Sequence, residues 1–253
     1  MPYPAHVSDA AYCYDGSYAG FLCCIFESYT RREIPSAVLG PAEGQITLFG
    51  TEAIATDPTH ARRVANGLTR LGPMVRERVM TGFLSTEEKK VLFLLRSARR
   101  CFDEGPRAVQ MLGDPDVHAA FVLERNVNNE VCRFIEFIRF EEKDGMLGSV
   151  IHPKNNVLPL LRGHFCSRLP DEDFLIFDAA HGTALLRQSG HVQYLAMEHY
   201  EPARDADELN WQALWKRFFH ALTIEERRNA KAQMNHAPKR FWGGMVEMRE
   251  PYI

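Results

Sequence analysis

Apolar side chains recur at helical spacing near the start of the chain. They occupy positions 18, 21, 22, 25, 26 and 29, and this spacing predicts a helix with one buried face. The apolar run at 11–14 precedes the turn signal Asp15-Gly16 and predicts a strand. A second short strand is expected at 45–49.

Helical spacing returns over residues 58–105. Ser85 and Glu88 have the spacing of a capping box, in which each side chain satisfies a free backbone N–H group. Asp114-Pro115 combines a residue typical of a helix N-cap with a proline at the first helical position. We therefore expect several helices over 58–105 and a further helix from this point to about residue 130.

The pattern then changes to one typical of strands. Residues 133–142 are rich in β-branched and aromatic side chains, and Asp144-Gly145 is a hairpin signal before a second apolar run at 146–151. Asn155 and Asn156 are expected to cap a short helix. Further strands are predicted at 174–177, 184–187 and 192–195. These elements predict an antiparallel β meander in residues 131–196 with the helix covering one face.

The last segment has helical spacing, with Leu209, Ala213 and Phe219 expected to face inward. The predicted fold class is therefore α+β, mainly helical, with the antiparallel meander and a helical C-terminal segment. We expect residues 1–253 to form a single domain. Residues 206–253 are the candidate for a separate helical subdomain.

Composition narrows the class of protein. Of the 253 residues, 45% are apolar and 25% are charged, and the net charge is −3, which is typical of an ordered globular protein without a uniformly basic surface. No apolar run reaches the ~20 residues that span a bilayer, so we expect no membrane association. The six cysteines include no CxxC pair. We therefore expect reduced thiols in a cytoplasmic protein and no metal site.

The common catalytic and cofactor motifs are absent. The sequence contains no phosphate-binding GxxxxGK[ST] loop, no GxGxxG after a strand, and no HExxH, GxSxG or zinc-deaminase pattern. We therefore expect no cofactor. A catalytic site assembled from scattered residues stays open.

Charge is segregated near the C-terminus. Between residues 214 and 242 the sequence contains seven cationic residues and only two anionic ones, with five aromatic residues interleaved. Such a surface attracts phosphate chains, and its rings stack on bases. The candidate nucleic-acid contacts here are Arg227, Arg228, Lys239, Arg240 and Trp242. The alternative is a solvated basic helix face whose aromatic residues enter the core.

Two further arginines are candidates for nucleic-acid binding. Arg133 and Arg139 share one face of the predicted strand with Ile135 and Phe137, where cations and rings together suit a nucleic-acid chain. An exposed sheet face with paired charges explains the same pattern.

Three residues are candidates for catalysis. His164 and Arg168 lie four apart on the predicted short helix, and Asp178 ends the next strand. If they converge, they could bind a phosphate or transfer a proton. The alternative is that His164 packs at the helix–sheet junction and Arg168 pairs with a nearby carboxylate.

Several blocks together resemble a known family. In order they are YDGSYAGFLCCIFESY (14–29), ATDPTHARRVANGL (55–68), RFIEFIRFEE (133–142), NVLPLLRGHFCSRLP (156–170), FLIFDAAHGTALL (174–186) and TIEERRNAKAQMNHAPKRFW (223–242). They resemble an uncharacterised bacterial family described as probable DNA metabolism proteins. The resemblance implies a gene neighbour that encodes a radical-SAM protein of DNA modification or repair. In some members the domain is fused to a uracil-DNA glycosylase-like domain.

The resemblance extends to single residues. The positions that match the family pattern are Asp15-Gly16, Glu27, Arg63, Phe137, Arg139, Phe140, His164, Phe165, Arg168, Asp178, Glu226, Arg227, Asn229, Pro238, Arg240 and Trp242. The chain departs from the pattern at Cys132, where the family usually has histidine, and at His181, where it usually has arginine. If the histidine that Cys132 replaces is an essential base in relatives, the activity of this member is altered or lost.

Three functions follow as expectations. The first is a DNA-repair or DNA-metabolism accessory protein that binds nucleic acid and works with the radical-SAM partner. The second is an enzyme that acts on a nucleotide or a DNA lesion. The third is an adaptor that binds a protein and has no substrate.

Overall fold

The computed structural model describes residues 6–41, 50–202, 206–227 and 229–248. Backbone contacts divide the chain into two compact units, Met1–Asn128 and Asn129–Ile253. This division does not test the expectation of a single domain, which stays a prediction. The strand predicted at 45–49 and the candidate Arg228 lie outside the described residues.

The first unit contains short parallel strands. They are β1 (His6–Val7), β2 (Ala11–Cys13), β3 (Glu33–Ile34), β4 (Ala37–Leu39) and β5 (Thr51–Ala53). Strand β2 lies between β4 and β5, and β1 pairs with β3. The predicted strand at 11–14 is therefore confirmed.

The same unit contains four helices that pack on one another, and two of them, the first and the fourth, also contact the strands. The four helices are α1 (Tyr18–Thr30), α2 (Pro58–Leu71), α3 (Pro73–Phe83) and α4 (Lys90–Glu104). The helical stripe of α1 is confirmed, since Phe21, Leu22 and Ile25 are buried. The capping box at Ser85 and Glu88 is wrong. Helix α4 starts at Lys90, and the Ser85 hydroxyl instead accepts a hydrogen bond from the Glu87 backbone N–H at 3.2 Å.

Helix α5 (Pro115–Phe137) is longer than predicted and contains the boundary between the two units. The expected strand at 133–142 is wrong for its first half. Val131, Phe134 and Ile138 are buried at spacings of three and four residues, which suit a helix face. The preference of aromatic and β-branched residues for strands is weak, and burial of a helix face overrides it here.

The second unit contains a five-stranded sheet in the order β10-β9-β8-β7-β6. Its strands are β6 (Glu141–Lys143), β7 (Met146–Ile151), β8 (Asp173–Asp178), β9 (Thr183–Gln188) and β10 (His191–Ala196). The predicted hairpin at Asp144-Gly145 is confirmed, with both residues at positive φ (51° and 78°).

The meander needs one correction. Strands β7 and β8 are parallel, and the other neighbouring pairs are antiparallel. Helix α6 (Leu158–Arg168) connects β7 to β8, and a helical crossover returns the chain in the same direction. The predicted cap is also wrong, because the Asn155 side chain bonds to Glu130 and α6 has no side-chain cap.

The C-terminal segment is helical, as predicted. It comprises α7 (Ala206–Leu222), α8 (Ala230–His236) and 3-10 helices at Glu225–Arg227, Lys239–Gly244 and Val246–Met248. The inward orientation of Leu209 and Ala213 is wrong, since both are exposed. The α+β class is confirmed, with 55% helix and 17% strand among the residues that the structure describes. Among the described residues, no helix is both long and apolar enough to cross a membrane.

Candidate nucleic-acid interface

A cavity of about 180 Å³ lies within the second unit. The end of α5, the segment after it, strands β6 and β7, and the 3-10 helix Lys239–Gly244 form its wall. The residues that line it are Phe134, Phe137, Ile138, Arg139, Glu141, Gly148, Ser149, Val150, Ile151, His152, Pro202, Arg240, Phe241, Gly243 and Gly244. The cavity thus brings together Arg139 and Arg240, two predicted nucleic-acid contacts from distant parts of the chain.

Phenylalanine rings form the apolar part of this wall. The centroid of Phe241 lies 5.0 Å from that of Phe134 and 5.6 Å from that of Phe137. Helical spacing places Phe134 and Phe137 on one side of α5, and the 3-10 turn after Pro238 carries Phe241 to them. The Phe241 ring therefore contacts both of the other rings.

Arg139 follows the last turn of α5 and is half-buried. Its Nη1 donates to the backbone carbonyls of Glu136 at 3.0 Å and Ile138 at 3.1 Å. Carbonyls at a helix C-terminus lack partners within the helix and carry partial negative charge. The helix end therefore holds the guanidinium at the cavity wall.

Arg240 is held by a buried carboxylate. Its Nη1 lies 2.8 Å from Oε1 of Glu130, a residue of α5 that is 2% exposed. The Arg240 guanidinium also lies over the Phe241 ring, 4.6 Å from the centroid. Glu130 further accepts hydrogen bonds from the backbone N–H groups of Lys154 and Asn155 and from the Asn155 amide. The carboxylate therefore fixes Arg240 and the loop before α6 at once.

A second, wider cleft adjoins the cavity within the same unit. It measures about 520 Å³ and shares Val150, His152 and Pro202 with the cavity. Tyr200 lines the cleft, and burial raises the pKa of its phenol above the usual value. The shared residues make the two spaces neighbours along one edge of the sheet.

The structure separates Arg133 from Arg139. Arg133 lies on α5, where its Nη1 donates to the His236 carbonyl at 2.7 Å and pairs with Glu136 at 3.2 Å. The prediction that both arginines share a strand face is therefore wrong, because residue 133 is helical. Arg133 does not line the cavity.

The remaining predicted contacts lie around the C-terminal segment. Arg227 and Lys239 are exposed. Trp242 is half-buried, its Nε1 donates to the Ala237 carbonyl at 2.8 Å, and Lys239 lies 5.8 Å from its ring centroid. Trp242 is therefore anchored by its polar edge and only partly accessible.

The three candidate catalytic residues are not joined by any hydrogen bond or ion pair within the described residues. His164 is half-buried beside Phe165 and its Nε2 is buried, with no hydrogen-bond partner among the described residues. Arg168 ends α6 and is exposed. The predicted catalytic role of each residue is not tested by this arrangement and stays a prediction.

Asp178 has a different partner, His181, which was not among the predicted catalytic residues. Asp178 is 0% exposed, and its Oδ2 lies 2.7 Å from Nδ1 of His181. Its Oδ1 accepts the backbone N–H groups of Ala180 and His181. Burial raises the pKa of Asp178, and these hydrogen bonds oppose that rise. Asp178 and His181 lie three residues apart across a turn, and this spacing is the sequence feature that could have predicted their contact.

Helix α7 exposes large apolar side chains, including Leu209, which was predicted to face inward. Trp211 is 69% exposed, Phe218 is 54% exposed, and α7 has no buried residue. The large exposed apolar residues of this region are Leu209, Trp211, Leu214, Trp215, Phe218, Leu222 and Ile224. Trp211, Leu214, Trp215, Phe218 and Leu222 are spaced three or four apart and share one face.

The part of the chain that the structure describes contains no cluster of side chains that could bind a metal ion. No group of three or more His, Cys, Asp or Glu residues there is arranged to hold an ion. Cys132 is exposed on α5.

Comparison with known proteins places the chain in a family. Residues 87–247, well over half of the chain, match the family model described as "Domain of unknown function (DUF4130)". No curated protein and no solved structure gives a significant match. The matched range contains α5, the whole five-stranded sheet and the cavity-lining residues. The chain therefore belongs to the DUF4130 family.

Proposed function

We propose that the protein binds nucleic acid through the cavity of the second unit and the cations of the C-terminal segment. The observation that carries the proposal is that Arg139 and Arg240 line one cavity together with the rings of Phe134, Phe137 and Phe241. Guanidinium groups beside aromatic rings are the combination that binds single-stranded nucleic acid, since cations attract the backbone and rings stack on bases.

Exposed cationic residues of the C-terminal segment support the same proposal. Arg227 and Lys239 are exposed, as is Lys231 on α8. Cations that neutralise phosphates release condensed counterions, and this favours binding at low salt. These three residues would supply a long-range attraction that brings the polymer to the cavity.

The identity of the polymer and partner comes from the family resemblance. DNA is the polymer that the resemblance implies, and a radical-SAM protein encoded nearby is the partner. We propose that the protein acts in the cytoplasm as a DNA-metabolism accessory protein, which binds DNA for that partner.

Fluorescence anisotropy with a labelled single-stranded oligonucleotide tests the proposal. We expect binding at about 50 mM salt and a linear fall of log K with log salt. The double variant Arg139→Ala, Lys239→Ala should bind more weakly. Arg240 is unsuitable for this test, because its loss would also remove a partner of buried Glu130.

The matched control is the double variant Arg62→Ala, Arg70→Ala, which removes two exposed arginines from α2 in the first unit. It should bind as the unmodified protein does. Failure of the unmodified protein to bind at about 50 mM salt would overturn the proposal. An equal loss in the Arg62, Arg70 double variant would show that only net charge matters.

A second candidate function is a protein-binding adaptor, which the apolar face of α7 favours. Leucine side chains such as Leu214 and Leu222 do not stack on bases, yet both are more than half exposed. A contiguous exposed apolar surface of this kind is typical of protein interaction sites. Co-purification with the radical-SAM partner in nuclease-treated extract tests this role, and the double variant Leu214→Gln, Phe218→Gln should abolish it. Unchanged co-purification of that variant would exclude the α7 face.

A further inference from the structure

We propose that the cavity of the second unit takes one unpaired nucleobase, and that phosphates of the same polymer stay outside it. The inference rests on the proposed function and adds to it the part of the nucleic acid that enters the cavity. Its supports are the volume of the cavity, the balance of charge in its wall and the arrangement of its rings.

The volume suits a small planar group. The cavity measures about 180 Å³. Pockets for drug-sized ligands span about 300–1,000 Å³, so this one is smaller. A duplex cannot enter it, whereas one heterocyclic ring system can.

The wall does not offer the net positive charge that a buried phosphate needs. Arg240 is paired with buried Glu130. Glu141 is only 5% exposed and also lines the cavity, where its negative charge offsets the positive charge of Arg139. A phosphate inside would face the carboxylate of Glu141, and one of the two guanidinium groups, that of Arg240, is already paired with Glu130, which does not line the cavity. Burying a charge without net compensation is costly, so the wall favours a neutral polar ligand.

The polar groups of the wall suit the edge of a base. Arg139 and Arg240 supply N–H donors, and the carboxylate of Glu141 supplies acceptor oxygens with more than one lone pair each. Nucleobase edges combine acceptors such as N7 and O6 with donors such as an amino group. Phosphates present acceptors only, so a carboxylate in the wall is compatible with a base edge that donates and repels a phosphate.

The rings provide the apolar contact that a base requires. Phe137 is half-buried and its plane is inclined by 43° to that of Phe241, whose plane lies at 76° to that of Phe134. The rings therefore do not stack face to face on each other. Phe134 and Phe241 are buried, so Phe137 is the ring of the three that is positioned to stack on a base.

The test compares an intact oligonucleotide with one of equal length in which every nucleotide is abasic. Both have the same number of phosphates. We expect the intact strand to bind about tenfold more tightly or better, which is within the range measured for a single stacked base. Phe137→Leu keeps apolar volume but removes a ring, and it should erase most of this preference.

The matched control is Phe140→Leu. Phe140 is also half-buried but packs on Phe165 and Phe174 and does not line the cavity. It should keep the preference for the intact strand. Equal loss in both variants would overturn the assignment of the base to this cavity.

Two other outcomes separate this inference from the proposed function. Equal affinity for the intact and abasic strands would overturn the base inference and leave nucleic-acid binding in place. If neither strand binds, the proposed function fails. Titration with free deoxynucleosides then decides the inference by itself, since their binding in a Phe137-dependent way would support the cavity and no binding would overturn it.

Discussion

Oε1 of Glu130 lies 2.8 Å from Nη1 of Arg240. Glu130 also binds two backbone N–H groups and the Asn155 amide, so one buried carboxylate joins α5, the loop before α6 and the C-terminal 3-10 helix. The position of Arg240 at the cavity therefore depends on a residue that does not line the cavity itself.

Replacement of Glu130 by alanine should destabilise the second unit by about 3 kcal/mol. The change leaves buried N–H donors without partners, and each costs roughly 1–3 kcal/mol. Urea unfolding measures the effect. Glu136→Ala serves as the control, because Glu136 is exposed on the same helix and should change the stability by less than about 0.5 kcal/mol. Equal stability of both variants would contradict the role of Glu130.

Gly148 on β7 should not tolerate a side chain. A Cβ atom at this position would overlap the Tyr200 hydroxyl. Gly148→Ala must displace Tyr200, at a cost of about 1–3 kcal/mol. Thermal unfolding tests this, with Gly163→Ala on α6 as the control, since a Cβ there meets no atom within 4 Å. The double variant Gly148→Ala, Tyr200→Phe should recover part of the loss, because it removes the overlapping oxygen.

The ionisation of Asp178 should make stability depend on pH. Burial raises the pKa of Asp178 above its ordinary value of 3.8. The folded state therefore binds its proton more tightly than the unfolded state does. The resulting stabilisation is complete below pH 3.8 and is lost as the pH rises through the raised pKa.

Asp178→Asn removes this titration. Relative to the unmodified protein, the variant should gain free energy of unfolding as the pH rises through that window. Denaturant unfolding at a series of pH values measures the difference. Asp171→Asn, in an exposed loop, should show no such trend. A difference for Asp178→Asn that is independent of pH would argue against the raised pKa.

The apolar face of α7 should contribute little to folding. Because Leu214 and Phe218 are more than half exposed, Leu214→Gln with Phe218→Gln should change the free energy of unfolding by less than about 1 kcal/mol in total. A much larger destabilisation would show that this face is covered in the folded protein. Urea unfolding therefore separates a role in binding from a role in packing.

The sequence predicted elements best where the spacing was unambiguous. The stripe of α1 and the Asp144-Gly145 hairpin were both confirmed. The strand expected at 133–142 was wrong for its first half, because residue type was given more weight than spacing. Val131, Phe134 and Ile138 already had the spacing of a helix face.

The candidate site was harder to predict because its contacts are distant in the sequence. Arg139 and Arg240 were both identified, but no pattern indicated that they line the same cavity. Asn155 was expected to cap a helix, since a local partner is the simplest for that side chain. Its actual partner, Glu130, lies 25 positions away. Local reasoning finds the chemical groups, and only tertiary packing decides which of them meet.

Hydrogen exchange with and without a saturating single-stranded oligonucleotide tests the central claim most directly. If the cavity binds nucleic acid, amides in residues 134–152 and 238–244 should exchange more slowly with DNA present, because these segments form its wall. Unchanged exchange in both segments at saturating DNA would contradict the account.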